Sequence, residues 1–149
     1  MGFEIVREIP HPKVILEAMP VSMDLAVIKR KRDQEIRQVF TRENNKLLLI
    51  IGPCSAHDED AVCDYIGRLA KVQDEVKDKV IIIPRIYTNK PRTTGIGYKG
   101  MAHQPNLAEE PNIVEGIKAI RKMHLRALKE SYLPAADEML YPGNYPYLE

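Results

Sequence analysis

The stretch Lys46-Leu-Leu-Leu-Ile-Ile-Gly-Pro-Cys-Ser-Ala-His-Asp58 decides the fold. Its first half is a continuous apolar run stopped by Gly52-Pro53, and a run this short and this uniform predicts a strand buried on both faces, as in a parallel sheet. Beyond the turn, Val62, Tyr65, Ile66, Leu69, Val72 and Val76 recur at helical spacing, with Asp58 or Ser55 placed to cap the helix. Val80-Ile-Ile-Ile83 follows as a second buried strand, rich in β-branched residues and closed by Pro84. Strand, helix, strand in that order predicts a parallel α/β sheet or barrel.

Upstream of this unit, Leu25, Ile28, Ile36, Val39 and Phe40 recur among charged residues from Ser22 to about Thr41, which predicts an amphipathic helix capped by Ser22. Residues 1 to 20 carry Pro10, Pro12 and Pro20 around the apolar Val14-Ile15-Leu16 and read as an extended arm that needs a surface to lie against. Downstream, a long polar loop from Thr88 to Pro111 leads to Asn112-Ile-Val-Glu115, a capping-box pattern. Ile117, Ile120, Met123 and Leu128 then mark a third helix. Tyr132-Leu-Pro-Ala-Ala-Asp-Glu-Met139 reads as a short third strand with polar residues at its end, and Tyr141-Pro-Gly-Asn-Tyr-Pro146 as turns. The expected organisation is an N-terminal extension and helix over residues 1–45 and an α/β unit over residues 46–149.

Composition narrows the function classes. The chain has 149 residues, 44% of them apolar and 29% charged, with a net charge of +1 and a pI near 7.8. That is enough chain for about one domain with a core, and no global field draws it to nucleic acid or an anionic membrane. The longest apolar run, Leu47 to Ile51, is too short to span a bilayer, and the first residues carry no signal-length apolar segment. A cytoplasmic protein is expected. Cys54 and Cys63 do not make a disulfide framework or a two-cysteine zinc knuckle, so reduced thiols are expected.

Two strand ends carry the candidate chemistry. After the second strand, Arg85, Lys90, Arg92 and Lys99 fall within fifteen residues, at the carboxyl end where α/β folds place ligands. Arginine forks and lysine point charges bind phosphate oxygens, Thr93 and Thr94 add hydroxyl donors, and Pro91 stiffens the backbone between two of the cations. The pattern fits small phosphorylated substrates; a solvated basic loop is the plain alternative. Gly95-Ile-Gly-Tyr-Lys-Gly100 matches G-x-G-x-x-G, but a dinucleotide turn needs the first glycine directly after a strand and a helix starting within the motif, and neither condition holds.

Cys54 follows the first strand and is itself followed by Ser55, His57 and Asp58. This position is open to three readings: a divalent-metal ligand, a cysteine nucleophile paired with histidine, or a small residue in a tight turn. Cys63 is expected in the core, His103 in the polar loop, and His124 on the charged side of its helix. Glu138, at the end of the third strand, is placed to orient a water or a cation, or to lie solvated.

Gly52-Pro-Cys-Ser-Ala-His-Asp58, Pro84-Arg-Ile-Tyr-Thr-Asn-Lys-Pro-Arg-Thr-Thr94 with Gly97-Tyr-Lys-Gly100, and Leu133-Pro-Ala-Ala-Asp-Glu-Met139 together resemble the class I 3-deoxy-D-arabino-heptulosonate 7-phosphate (DAHP) synthases, the phospho-2-dehydro-3-deoxyheptonate aldolases. The resemblance implies the N-terminal part of a (β/α)8 TIM barrel, about three β/α units, with an N-terminal extension and helix. It implies condensation of phosphoenolpyruvate with erythrose 4-phosphate, releasing phosphate, at the entry to the shikimate pathway of aromatic amino acid synthesis. Carried over residue by residue, Cys54 would be a ligand of a divalent metal of the Mn, Fe, Co or Zn type. Arg85 and Lys90 would bind phosphoenolpyruvate, and Lys90, Pro91, Arg92 and Thr93 erythrose 4-phosphate. Glu138 would position water, so that Lys90 and Glu138 are the expected catalytic groups.

A full barrel needs ~250 residues, and the family's remaining metal ligands lie on later strands. The 149-residue chain is therefore expected to be inactive by itself. A homo-oligomer is expected, with no nucleic-acid or membrane partner. The competing expectation is a non-catalytic phosphate-binding and assembly module that associates through its open sheet edge.

Overall fold

The computed structural model describes residues 2, 4–5, 7–90, 92 and 94–149. The parallel unit forms as the apolar runs predict. Strand β1 (Leu47–Ile51) and strand β2 (Val80–Pro84) pair in parallel, Leu47 opposite Val80 through Ile51 opposite Pro84, with helix α3 (Glu59–Val76) as the crossover. Asp58 caps α3, its carboxylate accepting from the Ala61 amide at 2.9 Å. Val62, Cys63 and Ile66 turn inward, and Gln73 is buried because its amide serves β2: it donates to the Val80 carbonyl at 2.9 Å and accepts from the Ile82 amide at 2.6 Å.

Helix α4 (Ile113–Ser131) begins at Asn112, whose side chain accepts from the Val114 and Glu115 amides. The return half of the expected capping box does not form, since the Asn112 amide donates instead to the His103 carbonyl and Glu115 pairs with Lys118. Ile120, Met123 and Ala127 meet Val62, Cys63, Ile66, Ile86, Met101 and Ala102 in the main core, so this core lies between α3, α4 and the segments that follow β2. Gly116 lets the Ala102 carbonyl approach α4 where a Cβ would collide with it.

Three elements differ from expectation. The N-terminal arm contains a helix, α1 (Pro12–Ala18): Pro12 takes a first-turn position where its missing N–H costs nothing, and the His11 ring accepts from the Lys13 amide. The arm does lie against the body, Ile15 packing with Ile117 and Tyr147. The third strand is reduced to one parallel bridge, Arg85 to Ala136, with hydrogen bonds from Ile86 to Ala136 and from Ala136 to Pro84. Pro134 brings no N–H to a ladder, so the pairing cannot extend through it. The last segment is helical rather than only turn-like, with a 3-10 turn (Pro142–Asn144) leading into α5 (Tyr145–Leu148).

The fourth difference concerns β1. Expected to be buried on both faces, it leaves Leu47 65% and Ile50 57% exposed, whereas Ile82 on β2 is 2% exposed. β1 pairs only with β2 in a two-stranded sheet, so among the described residues no strand covers its other edge. Helix α2 (Met23–Phe40), capped by Ser22 as predicted, lies beside β1 and α4 without a buried residue of its own.

Candidate active site at the strand carboxyl ends

The site is assembled where β1 and β2 end. Gly52 brings the β1 exit against Arg85 so closely that a Cβ on Gly52 would overlap the Arg85 carbonyl. Past β2 the chain stays extended, so residues 85 and 87 share one side and Ile86 points into the core. Arg85 reaches across to both other chain segments: its Nε donates to Glu138 Oε1 at 2.6 Å, its Nη2 pairs with the same oxygen, and its Nη1 donates to the Pro53 carbonyl at 3.1 Å. Charge-assisted bonds of this kind fix a guanidinium in direction as well as place.

Lys90 closes the other side. Its ammonium donates to the Cys54 carbonyl and, at 3.2 Å, to Cys54 Sγ. Both cations lie over the buried ring of Tyr87, its centroid 4.2 Å from the Arg85 guanidinium carbon and 4.7 Å from Lys90 Nζ. Burial, with the nearby Glu138 carboxylate as the next cause, raises the Tyr87 phenol above its ordinary pKa, so the ring stays neutral at physiological pH. Arg85 and Lys90 against Glu138 leave one uncompensated positive charge in the cluster.

The loop that follows is tied back onto the strand ends. The Lys90 amide donates to the Lys99 carbonyl at 2.9 Å and the Ala102 amide to the Thr88 carbonyl at 3.2 Å. Gly100, at φ 99°, makes that return possible, since a side chain there would meet Thr88 and Asn89 backbone. Asp137 clamps the loop's root: it accepts from the Thr88 amide at 3.2 Å and the Thr88 hydroxyl at 2.5 Å, and His124 Nε2 lies 3.4 Å away. The Asp137 side chain is only 1% exposed. His124 is thus half-buried against this clamp rather than on the charged side of α4. Ser55 Oγ and Asn89 Oδ1, flanking Cys54 and Lys90, are buried without a hydrogen-bond partner among the described residues.

Of the residues singled out in the sequence, Cys54, Arg85, Lys90 and Glu138 come together. Arg92 does not join them; its Nε donates to the Tyr98 carbonyl at 2.9 Å, inside its own loop. Pro91 and Thr93 lie outside the described residues. Cys63 is buried, as expected. Tyr87 and Asp137 were not anticipated, although an aromatic residue two positions after a strand-end arginine shares its side, which is the signal that locates Tyr87.

A resident metal needs several converging donors. Cys54 Sγ faces an ammonium group, and no cluster of three His, Cys, Asp or Glu side chains exists among the described residues. These residues alone do not fit a metal site; Cys54 would be one donor of a larger set.

The fold and this cluster define an α/β protein with two cations, Arg85 and Lys90, gathered at its strand carboxyl ends. A family model described as the DAHP synthetase I family matches residues 20–148, and the chain belongs to that family. It is 35% identical over 135 residues to the Phe-sensitive phospho-2-dehydro-3-deoxyheptonate aldolase of Escherichia coli K12, covering 91% of this chain and 38% of that protein. It is 33% identical over 129 residues to the phenylalanine-inhibited enzyme of that name from Saccharomyces cerevisiae, covering 87% of this chain and 34% of that protein. The solved structure of the phospho-2-dehydro-3-deoxyheptonate aldolase from Francisella tularensis SCHU S4 superposes with a TM-score of 0.88 at 27% identity, covering 98% of this chain and 42% of that one. These relatives are, by name, phospho-2-dehydro-3-deoxyheptonate aldolases, and the family is one of transferase-class enzymes. The chain spans roughly two fifths of their length. No helix among the described residues is long and apolar enough to cross a membrane.

Proposed function

We propose that the chain carries the phosphoenolpyruvate-binding part of a DAHP synthase, built on the first β/α units of a (β/α)8 barrel. The observation that carries this reading is the convergence of Arg85 and Lys90 on one buried ring at the carboxyl ends of two parallel strands. Phosphoenolpyruvate offers a carboxylate and a phosphate to two fixed cations. Arg85, aimed by Glu138 and the Pro53 carbonyl, presents its remaining N–H groups to one of them, while Lys90 exchanges its Cys54 contacts for the other. Lys90, Pro91, Arg92 and Thr93 hold erythrose 4-phosphate, for which Arg92 must leave the Tyr98 carbonyl.

In the condensation the enol carbon of phosphoenolpyruvate attacks the aldehyde carbon, water adds, and inorganic phosphate leaves. Lys90 supplies positive charge beside the substrates and Glu138, opposite Arg85, orients the water. In a complete site Cys54 would be one ligand of a divalent metal of the Mn, Fe, Co or Zn type, which would supply Lewis-acid chemistry at the aldehyde. The described residues lack the other donors, so the chain by itself binds without turning over.

Calorimetric titration with phosphoenolpyruvate tests the reading. The chain should bind, and Arg85→Ala and Lys90→Ala should each weaken binding by roughly tenfold or more, the scale of a lost charged hydrogen bond. Unchanged binding in both variants, or none in the wild type, refutes it. Phosphate release above background from both substrates with manganese would refute the inactivity of the chain alone.

A second reading, a non-catalytic phosphate-binding module that self-assembles, is favoured by the apolar side chains open to solvent on β1. It predicts a homo-oligomer whose mass by light scattering rises with concentration; a constant monomer mass removes it.

A further inference from the structure

Two like charges held near one another repel, and the cluster at the strand ends contains only one carboxylate to offset two cations. The Pro53 and Cys54 carbonyls accept from the two cations, and an aromatic ring lies against both. Tyr87 is 8% exposed, and its ring lies 4.2 Å from the Arg85 guanidinium carbon and 4.7 Å from Lys90 Nζ, both inside the range over which a ring quadrupole attracts a cation. The ring is itself fixed: Ile86 before it is anchored in the core and pairs with Ala136, and the Tyr87 carbonyl accepts from the Ala56 amide at 2.9 Å. Thr88 after it is clamped by Asp137. A rigid ring that both cations lie against sets where the two positive charges sit, and their placement selects which pair of anionic groups the site accepts.

We infer that Tyr87 is a positioning residue: its ring holds Arg85 and Lys90 at a fixed separation, tuning the site for a small ligand with two neighbouring anionic groups over one with a single such group. This rests on the reading of Arg85 and Lys90 as the phosphoenolpyruvate cations, and it assigns the work to the ring face rather than to the phenol hydroxyl.

The test compares the wild-type chain with Tyr87→Phe, which keeps the ring, and Tyr87→Leu, which keeps apolar volume without it. Phosphoenolpyruvate and inorganic phosphate are titrated separately, and unfolding midpoints are recorded for all three proteins. Phosphoenolpyruvate binding should survive in Tyr87→Phe and weaken about tenfold in Tyr87→Leu, while phosphate binding changes much less. Equal loss in Tyr87→Phe and Tyr87→Leu, or equal loss for the two ligands, overturns the inference.

A second readout does not require ligand. The ε-methylene resonances of Lys90 should be shifted upfield by the ring current in wild type and Tyr87→Phe and should return to ordinary positions in Tyr87→Leu. If the wild type binds no phosphoenolpyruvate, the functional reading fails while this shift still reports on the ring. Unshifted Lys90 resonances in the wild type overturn the inference.

Discussion

The two strands are close in composition, Leu-Leu-Leu-Ile-Ile and Val-Ile-Ile-Ile-Pro, and opposite in environment. β2 packs against α3 and contributes Ile82 to the fully buried set, while β1 keeps four of its apolar side chains at least 38% exposed. The difference teaches that an apolar run specifies a strand but not its neighbours. The energetics of the two strands should therefore differ although both are apolar throughout. Burying an isoleucine fully stabilises by about 1.5–3 kcal/mol, and a side chain left half in water captures only part of that.

The largest effect should come from truncation on the covered strand. Ile82→Ala is expected to cost about 2–5 kcal/mol in urea unfolding, whereas Ile50→Ala should cost under about 1 kcal/mol. Equal costs would break the contrast and mean that β1 is covered in solution. Next comes the joint between the strands: Gly52→Ala forces a Cβ into the Arg85 carbonyl, and overpacking of this kind costs about 1–3 kcal/mol. Its phosphoenolpyruvate affinity should fall as well, because Arg85 has to move.

The two cysteines sharpen the comparison without changing stability. Cys54 is exposed, whereas Cys63 is buried and its thiol is pushed above the ordinary pKa, chiefly by burial. A maleimide should modify Cys54 in the folded chain and Cys63 only on unfolding. The smallest effect belongs to His103, whose pKa lies below the ordinary 6.5, first through burial and then through Lys99. The unfolded chain then binds the proton more readily, so the stability His103 contributes is present above about pH 6.5 and lost as the pH falls towards its folded value. Unfolding midpoints measured between pH 7 and 5 should drop less in His103→Gln than in the wild type.

Much of this was legible in the sequence, for physical reasons that also mark where legibility ends. The β-α-β order follows from two apolar runs and one helical period, and the caps Ser22, Asp58 and Asn112 were readable from side chains that accept backbone N–H groups. Helix α1 was missed because prolines suggest extension, although Pro12 at the start of a helix is a compatible use of the same residue. The third strand was overestimated because its pattern does not reveal that a single residue, Ala136, finds a partner.

Arg85, Lys90, Cys54 and Glu138, singled out by their positions at strand ends, lie together in the fold. Arg92 was expected to point with Lys90, but a backbone carbonyl within its own loop satisfies it first. The clamp by Asp137 had no sequence signal, since it joins residues 49 positions apart.

An amide correlation spectrum of the chain titrated with phosphoenolpyruvate is the most direct test of where the ligand goes. Shifts concentrated at residues 54–56, 85–90 and 138 are predicted. No shifts, or shifts centred on the groove that Ile36 of α2, Leu125 of α4 and Leu148 of α5 line, would contradict the assignment of the strand ends as the substrate site.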